Sequence, residues 1–170
     1  MSQGPGALDA PHVAVVGPAD ADTQTCALAI EVGRLIAERG GVVVCGGLGG
    51  VMEAAALGAS QGGGSSLGIL PGRNRREANP YVTIAVPTGL GELRNGLVVG
   101  SSDAVIAVGG SWGTLSEVAL ALRQGTPVVS LRGWSVVDAN GAVITGMTMT
   151  ASASEAVDAA LRQVEAQWLQ

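Results

Sequence analysis

The stretch AVIAVGGSWGTLSEVALAL, residues 104–122, decides the fold. It passes from the apolar run 104–108 through a glycine turn straight into a segment whose apolar residues keep helical spacing. A strand that breaks at glycine and resumes as a helix is the repeating unit of a parallel sheet wrapped by helices. Within it, Thr114 and Glu117 stand three residues apart where the helix is expected to begin. That spacing is the one used by a capping box, in which Thr takes a backbone N–H and Glu reaches back to the Thr N–H. Glu117 is therefore either a helix-starting residue or a group turned towards something bound in the glycine turn.

Working outward, the same unit recurs. HVAVVGP (12–18) and VVVCGG (42–47) read as buried strands, and SLGILPG (66–72), VTIAV (82–86), DAVIAVGG (103–110) and PVVSL (127–131) as further strands. Residues 23–39 carry apolar side chains at helical spacing and stop at Gly40 and Gly41. Further helices are expected over 50–63, near 91–100, over 114–124, and over 154–168 behind the capping pair Ser152 and Glu155. The 50–63 segment is alanine-rich and almost uncharged, which predicts cover on more than one side: the sheet beneath and a second subunit above. The expected architecture is α/β, a single doubly wound domain over residues 12–170 behind a disordered tail at 1–11. Its mostly parallel sheet has about six to seven strands, with helices on both faces.

Composition narrows the functions open to such a domain. The 170 residues suffice for one core, and with no Phe and only four aromatic residues that core is built from small aliphatic side chains. A net charge of −5 without runs of like charge argues against nucleic acid or an anionic membrane as partner. The absence of a long apolar run or a leader pattern predicts a cytoplasmic protein. All nine basic residues are Arg. Without lysine there is no phosphate-loop lysine and no Schiff base, so pyridoxal-phosphate chemistry is excluded. Cys26, Cys45 and His12 lie too far apart for a metal site, and both thiols read as small buried apolar groups.

Three glycine turns follow apolar strands: around Gly17, at Gly46, Gly47, Gly49 and Gly50, and at Gly109, Gly110 and Gly113. The second resembles a dinucleotide fingerprint until its third glycine position, which is Met52; no acidic residue closes the next strand, so NAD is disfavoured. Two glycine clusters ahead of helix N-termini fit a phosphate or nucleotide pocket, since free N–H groups and the helix dipole favour an anion there. A carboxylate beside a phosphate would repel it, so Glu117 is expected to face a sugar hydroxyl or a base. Arg94, on the preceding helix, is the expected complement of the anion. Ser111, Thr114 and Asn95 can supply hydrogen bonds. The loop with Arg73, Arg75 and Arg76 follows a strand end and is placed to close over an anion.

With these residues in view, GGLGGVMEAA, GILPG, ANPYV, TGLGELRN and GGSWGTLSEVALAL, in that order, resemble one superfamily. It is the Rossmann-like nucleotide-binding superfamily that includes the Lonely Guy cytokinin-activating phosphoribohydrolases and the molybdenum-cofactor carrier proteins. The resemblance implies that, in a hydrolase, Arg94 and Glu117 would support cleavage of an N-glycosidic bond. The chain departs from the hydrolase motif in three places: Val108 replaces a proline, Ser111 and Trp112 stand where that motif has one residue, and Asn95 replaces a lysine. These departures look like the carrier branch, whose members bind a pterin-phosphate cofactor without transforming it. The implied function is binding of a phosphorylated heterocycle, a nucleotide or a molybdopterin-type cofactor, by a homodimer or homotetramer. The alternative is a phosphoribohydrolase of nucleoside 5'-monophosphates that releases free base and ribose 5-phosphate. The label of lysine decarboxylase often given to such proteins fails on the missing lysine.

Overall fold

Apolar runs without polar alternation need cover on both faces, and the chain supplies it. The computed structural model describes residues 10–169, and among these one sheet of seven parallel strands forms. The strands are β1 (His12–Val16), β2 (Val42–Cys45), β3 (Ser66–Leu70), β4 (Ile84–Pro87), β5 (Ala104–Val108), β6 (Val128–Leu131) and β7 (Met147–Thr150). The helices are α1 (Thr23–Glu38), α2 (Val51–Gln61), α3 (Asn95–Gly100), α4 (Trp112–Gln124) and α5 (Ala153–Trp168). In space the strands run β4-β3-β2-β1-β5-β6-β7. The chain steps outward from β1 to β4, returns to the other side of β1 as β5, and steps outward again. That reversal leaves a crevice at the carboxyl ends of β1 and β5, where open α/β sheets take their ligands.

Alternate strand residues feed two cores. On one face Val13, Val15, Val43, Ile106 and Leu131 pack against α1, α2 and α5; on the other Ala14, Val16, Val44, Val105 and Val128 meet Val98 and Val99 of α3 and Val118 and Ala121 of α4. The helix ends are capped by short polar side chains. Asp22 accepts from Thr25 N at 2.7 Å, and Ser152 from Glu155 N at 3.2 Å. Glu155 reaches back to Ala151 N at 3.0 Å, one residue before the cap.

Three expectations change. First, α4 begins at Trp112, not at residue 114, because Ser111 is its cap and accepts from Thr114 N at 3.2 Å. Thr114 and Glu117 thus lie inside the helix, and no capping box joins them. Second, α1 of the same chain packs closely over the uncharged surface of α2, a cover the sequence reading did not name. A Cβ at Gly33 would land on the Ala55 carbonyl oxygen, and one at Gly58 on that of Ile30, so the two helix backbones touch. Third, β7 stands where no strand was expected. Of the tail expected at 1–11, residues 1–9 lie outside the described residues, and Pro11 is tied to the sheet, its carbonyl accepting from Val42 N at 2.9 Å.

Candidate functional site

At the switch point a cavity of about 330 Å³ opens among Gly17 after β1, Met52 of α2, Pro71 after β3, Arg94, and Thr114 and Glu117 of α4. Asn95, Ser111 and Gly113 complete the wall from the side of α3 and α4. Seven residues singled out in the sequence therefore meet in one place: Gly17, Arg94, Asn95, Ser111, Gly113, Thr114 and Glu117. The volume is at the small end of the range typical of ligand pockets, about 300–1,000 Å³.

Arg94 ends a 3-10 turn, Gly91–Arg94, which carries its side chain inward under the end of β2. Gly46 makes that possible, because a Cβ there would collide with both terminal guanidinium nitrogens. The residue is only 8% exposed, and Glu117 opposite it only 7%. Arg94 Nη1 and Glu117 Oε1 stand 3.8 Å apart, beyond hydrogen-bond reach, and Arg94 Nε has no partner. Two unit charges about 4 Å apart attract by about 4 kcal/mol at an effective dielectric near 20. Loss of water outweighs that attraction at the carboxyl: burial pushes Glu117 up to about 7, with Arg94 opposing the rise. The result is a buried cation with one unsatisfied donor, Nε, beside a carboxyl that titrates near neutrality, both at the wall of a cavity. Burial also pushes the Cys45 thiol up to about 11, which leaves it an unreactive thiol, as its apolar reading implied.

The glycines divide their work. Gly47 (φ 76°) and Gly50 (φ 64°) hold left-handed backbone in the turn between β2 and α2, while a Cβ at Gly49 would meet nothing closer than 3.8 Å. The first turn of α4 leaves the Trp112 and Gly113 N–H groups as its free donors, since Thr114 N goes to the cap and Leu115 N to the Ser111 carbonyl at 2.9 Å. Gly109 and Gly110 do not line the cavity. A Cβ on Gly109 would meet Thr25 and Pro18, and Gly110 lies flat against the ring of Trp134. Asn95 donates from Nδ2 to Ser116 Oγ at 3.1 Å, bridging α3 to α4.

Sequence reading did not foresee three features. Glu92, Pro71 and Met52 join the cavity wall. Trp134, beyond β6, packs edge-on against Trp112 with ring centroids 5.3 Å apart and brings a second aromatic residue to the turn. The loop carrying Arg73, Arg75 and Arg76 is pinned to the glycine turn by Asn79, whose N donates to Gly47 O (2.9 Å) and whose Nδ2 donates to Leu48 O (3.0 Å). None of the three arginines lines the cavity; Pro71, at the start of that loop, does.

Comparison with known proteins agrees with this fold. Residues 10–163 match the SLOG cluster4 family. An uncharacterized protein of Archaeoglobus fulgidus is 44% identical over 147 residues, which cover 86% of this chain and 92% of that protein. The structure of the molybdenum cofactor binding protein from the phototrophic bacterium Rippkaea orientalis is similar with a TM-score of 0.81 at 36% identity, over 90% of this chain and 96% of that one. The molybdenum cofactor carrier protein of Chlamydomonas reinhardtii gives a TM-score of 0.81 at 35% identity, over 92% of this chain and 99% of the other.

Proposed function

The chain belongs to the SLOG cluster4 family, and from that premise we propose that it binds a phosphorylated heterocyclic small molecule and releases it unchanged. One observation carries the reading: Arg94 is a buried guanidinium whose Nε lacks a partner and whose nearest carboxylate is out of hydrogen-bond range, at the wall of a cavity. A buried donor left unsatisfied costs about 1–3 kcal/mol, and more when charged, so an anionic group entering the cavity gains what the apo protein lacks. Arg94 pairs with the phosphate, helped by the N–H groups of Trp112 and Gly113 at the positive end of α4. Of the turn from Gly46 to Gly50 only Leu48 reaches the cavity wall, so its glycines act by shaping the backbone behind it. Glu117, protonated or hydrogen-bonded, orients a polar group of the heterocycle, with Thr114, Ser111 and Asn95 as further donors or acceptors.

The relatives named for the molybdenum cofactor support a molybdopterin-type ligand within this class. Such a cofactor brings its own metal and redox chemistry; Arg94 and the α4 N-terminus fit its phosphate. Among the described residues no group of three or more metal-ligating side chains gathers, so what this chain offers is contact with the organic part of the ligand. A homodimer or homotetramer is part of the proposal. It draws on the large aliphatics left open beside α3, where Leu93 is 81% and Leu97 43% exposed.

A second reading, hydrolysis of a nucleoside 5'-monophosphate, rests on one feature: a carboxyl held near 7 suits proton transfer to or from a leaving base or attacking water. Asn95 weakens it, since its amide is engaged with Ser116 where the hydrolases carry a lysine. Equilibrium titration of the protein with AMP and with a pterin phosphate, followed by chromatography for free base, separates the two. Binding of intact ligand that is lost in Arg94→Met, without base release, is the expected result. Base release by wild type and not by Glu117→Gln would establish hydrolysis in its place.

A further inference from the structure

Several polar groups around the cavity can serve a ligand as donor or as acceptor. The Ser111 and Thr114 hydroxyls bond each other at 2.9 Å, and either can hold the shared proton. The Glu117 carboxyl gains or loses its own proton near neutrality. Arg94 and the N–H groups that open α4 only donate. Asn95 carries both kinds of group on one amide, and its neighbours decide which end the ligand meets.

The decision is made at Ser116. Its Oγ lies 2.7 Å from the Gly113 carbonyl oxygen, which can only accept, so the single hydroxyl proton is engaged there. Towards Asn95, 3.1 Å away, the same Oγ can therefore only accept, and the amide must present Nδ2 to it. An amide turned the other way would set Oδ1 against an oxygen with no proton to give. Gly113 lies in the first turn of α4, so the orientation is anchored in helix backbone. Ser116 borders the groove between α3 and α4 and not the cavity, whereas Asn95 borders both. With Nδ2 held on the groove side, Oδ1 is the end left for the cavity, and no donor engages it among the described residues. It stands one residue along the chain from the guanidinium assigned to the phosphate.

We infer that Asn95 selects the ligand: its Oδ1 accepts a hydrogen bond from an exocyclic amino group on the heterocycle. A ligand with an oxo group at that place is disfavoured, because two acceptors would meet and neither would be satisfied. Ser116 is a positioning residue, which acts through the amide it holds. The inference rests on the reading of the cavity as a site for a phosphorylated heterocycle, and it names a group that such a heterocycle must carry.

The test uses the full chain and two pairs of ligands that differ in such a group: AMP against IMP, and a pterin phosphate against the lumazine phosphate in which oxo replaces the 2-amino group. Calorimetry gives each affinity, with ribose 5-phosphate as the probe of the phosphate contact alone. In at least one pair the amino member is expected to bind about 3- to 10-fold more tightly, the range of one neutral hydrogen bond. Asn95→Leu should bring that ratio to within about twofold. Ser116→Ala, at an exposed helix position outside the cavity, releases Nδ2 and lets the amide turn. It should narrow the ratio chiefly by tightening the oxo member, a gain that a damaged fold would not produce. Arg94-dependent binding of ribose 5-phosphate with equal affinities inside both pairs would overturn the inference and leave the ligand reading standing. Binding of neither ribose 5-phosphate nor any of the four ligands would overturn both. An amino preference that survives in Asn95→Leu would belong to another residue and would overturn the inference as well.

Discussion

Arg94 and Glu117 face each other across 3.8 Å inside the protein, close enough to feel one another's charge and too far apart to share a proton. The gap separates this pair from a structural salt bridge, which would close to hydrogen-bond distance to recover its desolvation cost.

If the gap is a place for an anion, removing the cation should abolish binding without weakening the fold. Arg94→Met is expected to lower affinity for AMP or a pterin phosphate about 10- to 100-fold, matching the roughly 1.5–3 kcal/mol of hydrogen bonds to a charged group. In the absence of ligand its melting temperature below pH 7 should change little, because Glu117, already raised to about 7, takes up a proton when its cation is lost and leaves no unpaired buried charge. A large fall in melting temperature would mean that Arg94 is structural.

The Glu117 carboxyl gives the fold a pH dependence of known sign. Its folded value near 7 lies above the ordinary 4.5, so between those values the native state holds a proton that the unfolded chain has released. Stability due to this group therefore falls as pH rises from about 4.5 to 7, and the loss is complete above 7, amounting to a few kcal/mol at most. Melting curves of wild type and Glu117→Gln from pH 5 to 8 should diverge, with the variant gaining relative to wild type as pH rises. Parallel curves would place the carboxyl in water.

Packing of α1 on α2 depends on Gly33 and Gly58. Gly58→Ala places a methyl against the Ile30 carbonyl oxygen, with no flexible side chain there to yield. A loss of about 1–3 kcal/mol in urea unfolding is expected, despite the higher helix propensity of alanine.

Assembly is read most directly at Leu93, the most exposed aliphatic side chain beside the cavity, at 81%. Light scattering at micromolar concentration should give a dimer or tetramer for wild type and a smaller species for Leu93→Asp. A monomeric wild type would remove oligomerisation from the proposed function.

The fold was legible because buried parallel strands are written as unbroken apolar runs ended by glycine, as in residues 12–17 and 104–109. β7 was not, because Met147–Thr150 is a half-exposed edge strand whose alternating Met and Thr carry little apolar signal. The site was legible in its members but not in all their roles. Ser111-x-x-Thr114 and Thr114-x-x-Glu117 share one spacing, and only the burial of Glu117 shows that the first pair starts the helix while the second residue of the other faces Arg94. The cover that α1 gives α2 was not legible because the surface that receives it, Gly33 on α1, has no side chain to advertise it. Trp134 joins the turn from 22 residues beyond Trp112, through a bend at Arg132 (φ 52°), and local spacing holds no record of such a return.

The room that Gly46 leaves for the Arg94 guanidinium also makes the two positions inseparable in descent. A lineage that acquires a side chain at position 46 must shift the guanidinium and Met52 Sδ or give up the arginine, and one that loses the arginine has fewer neighbours to displace. Homologues should therefore tend to keep glycine and arginine together or to lose both, and membership of the first group would mark the proposed anion site in two letters.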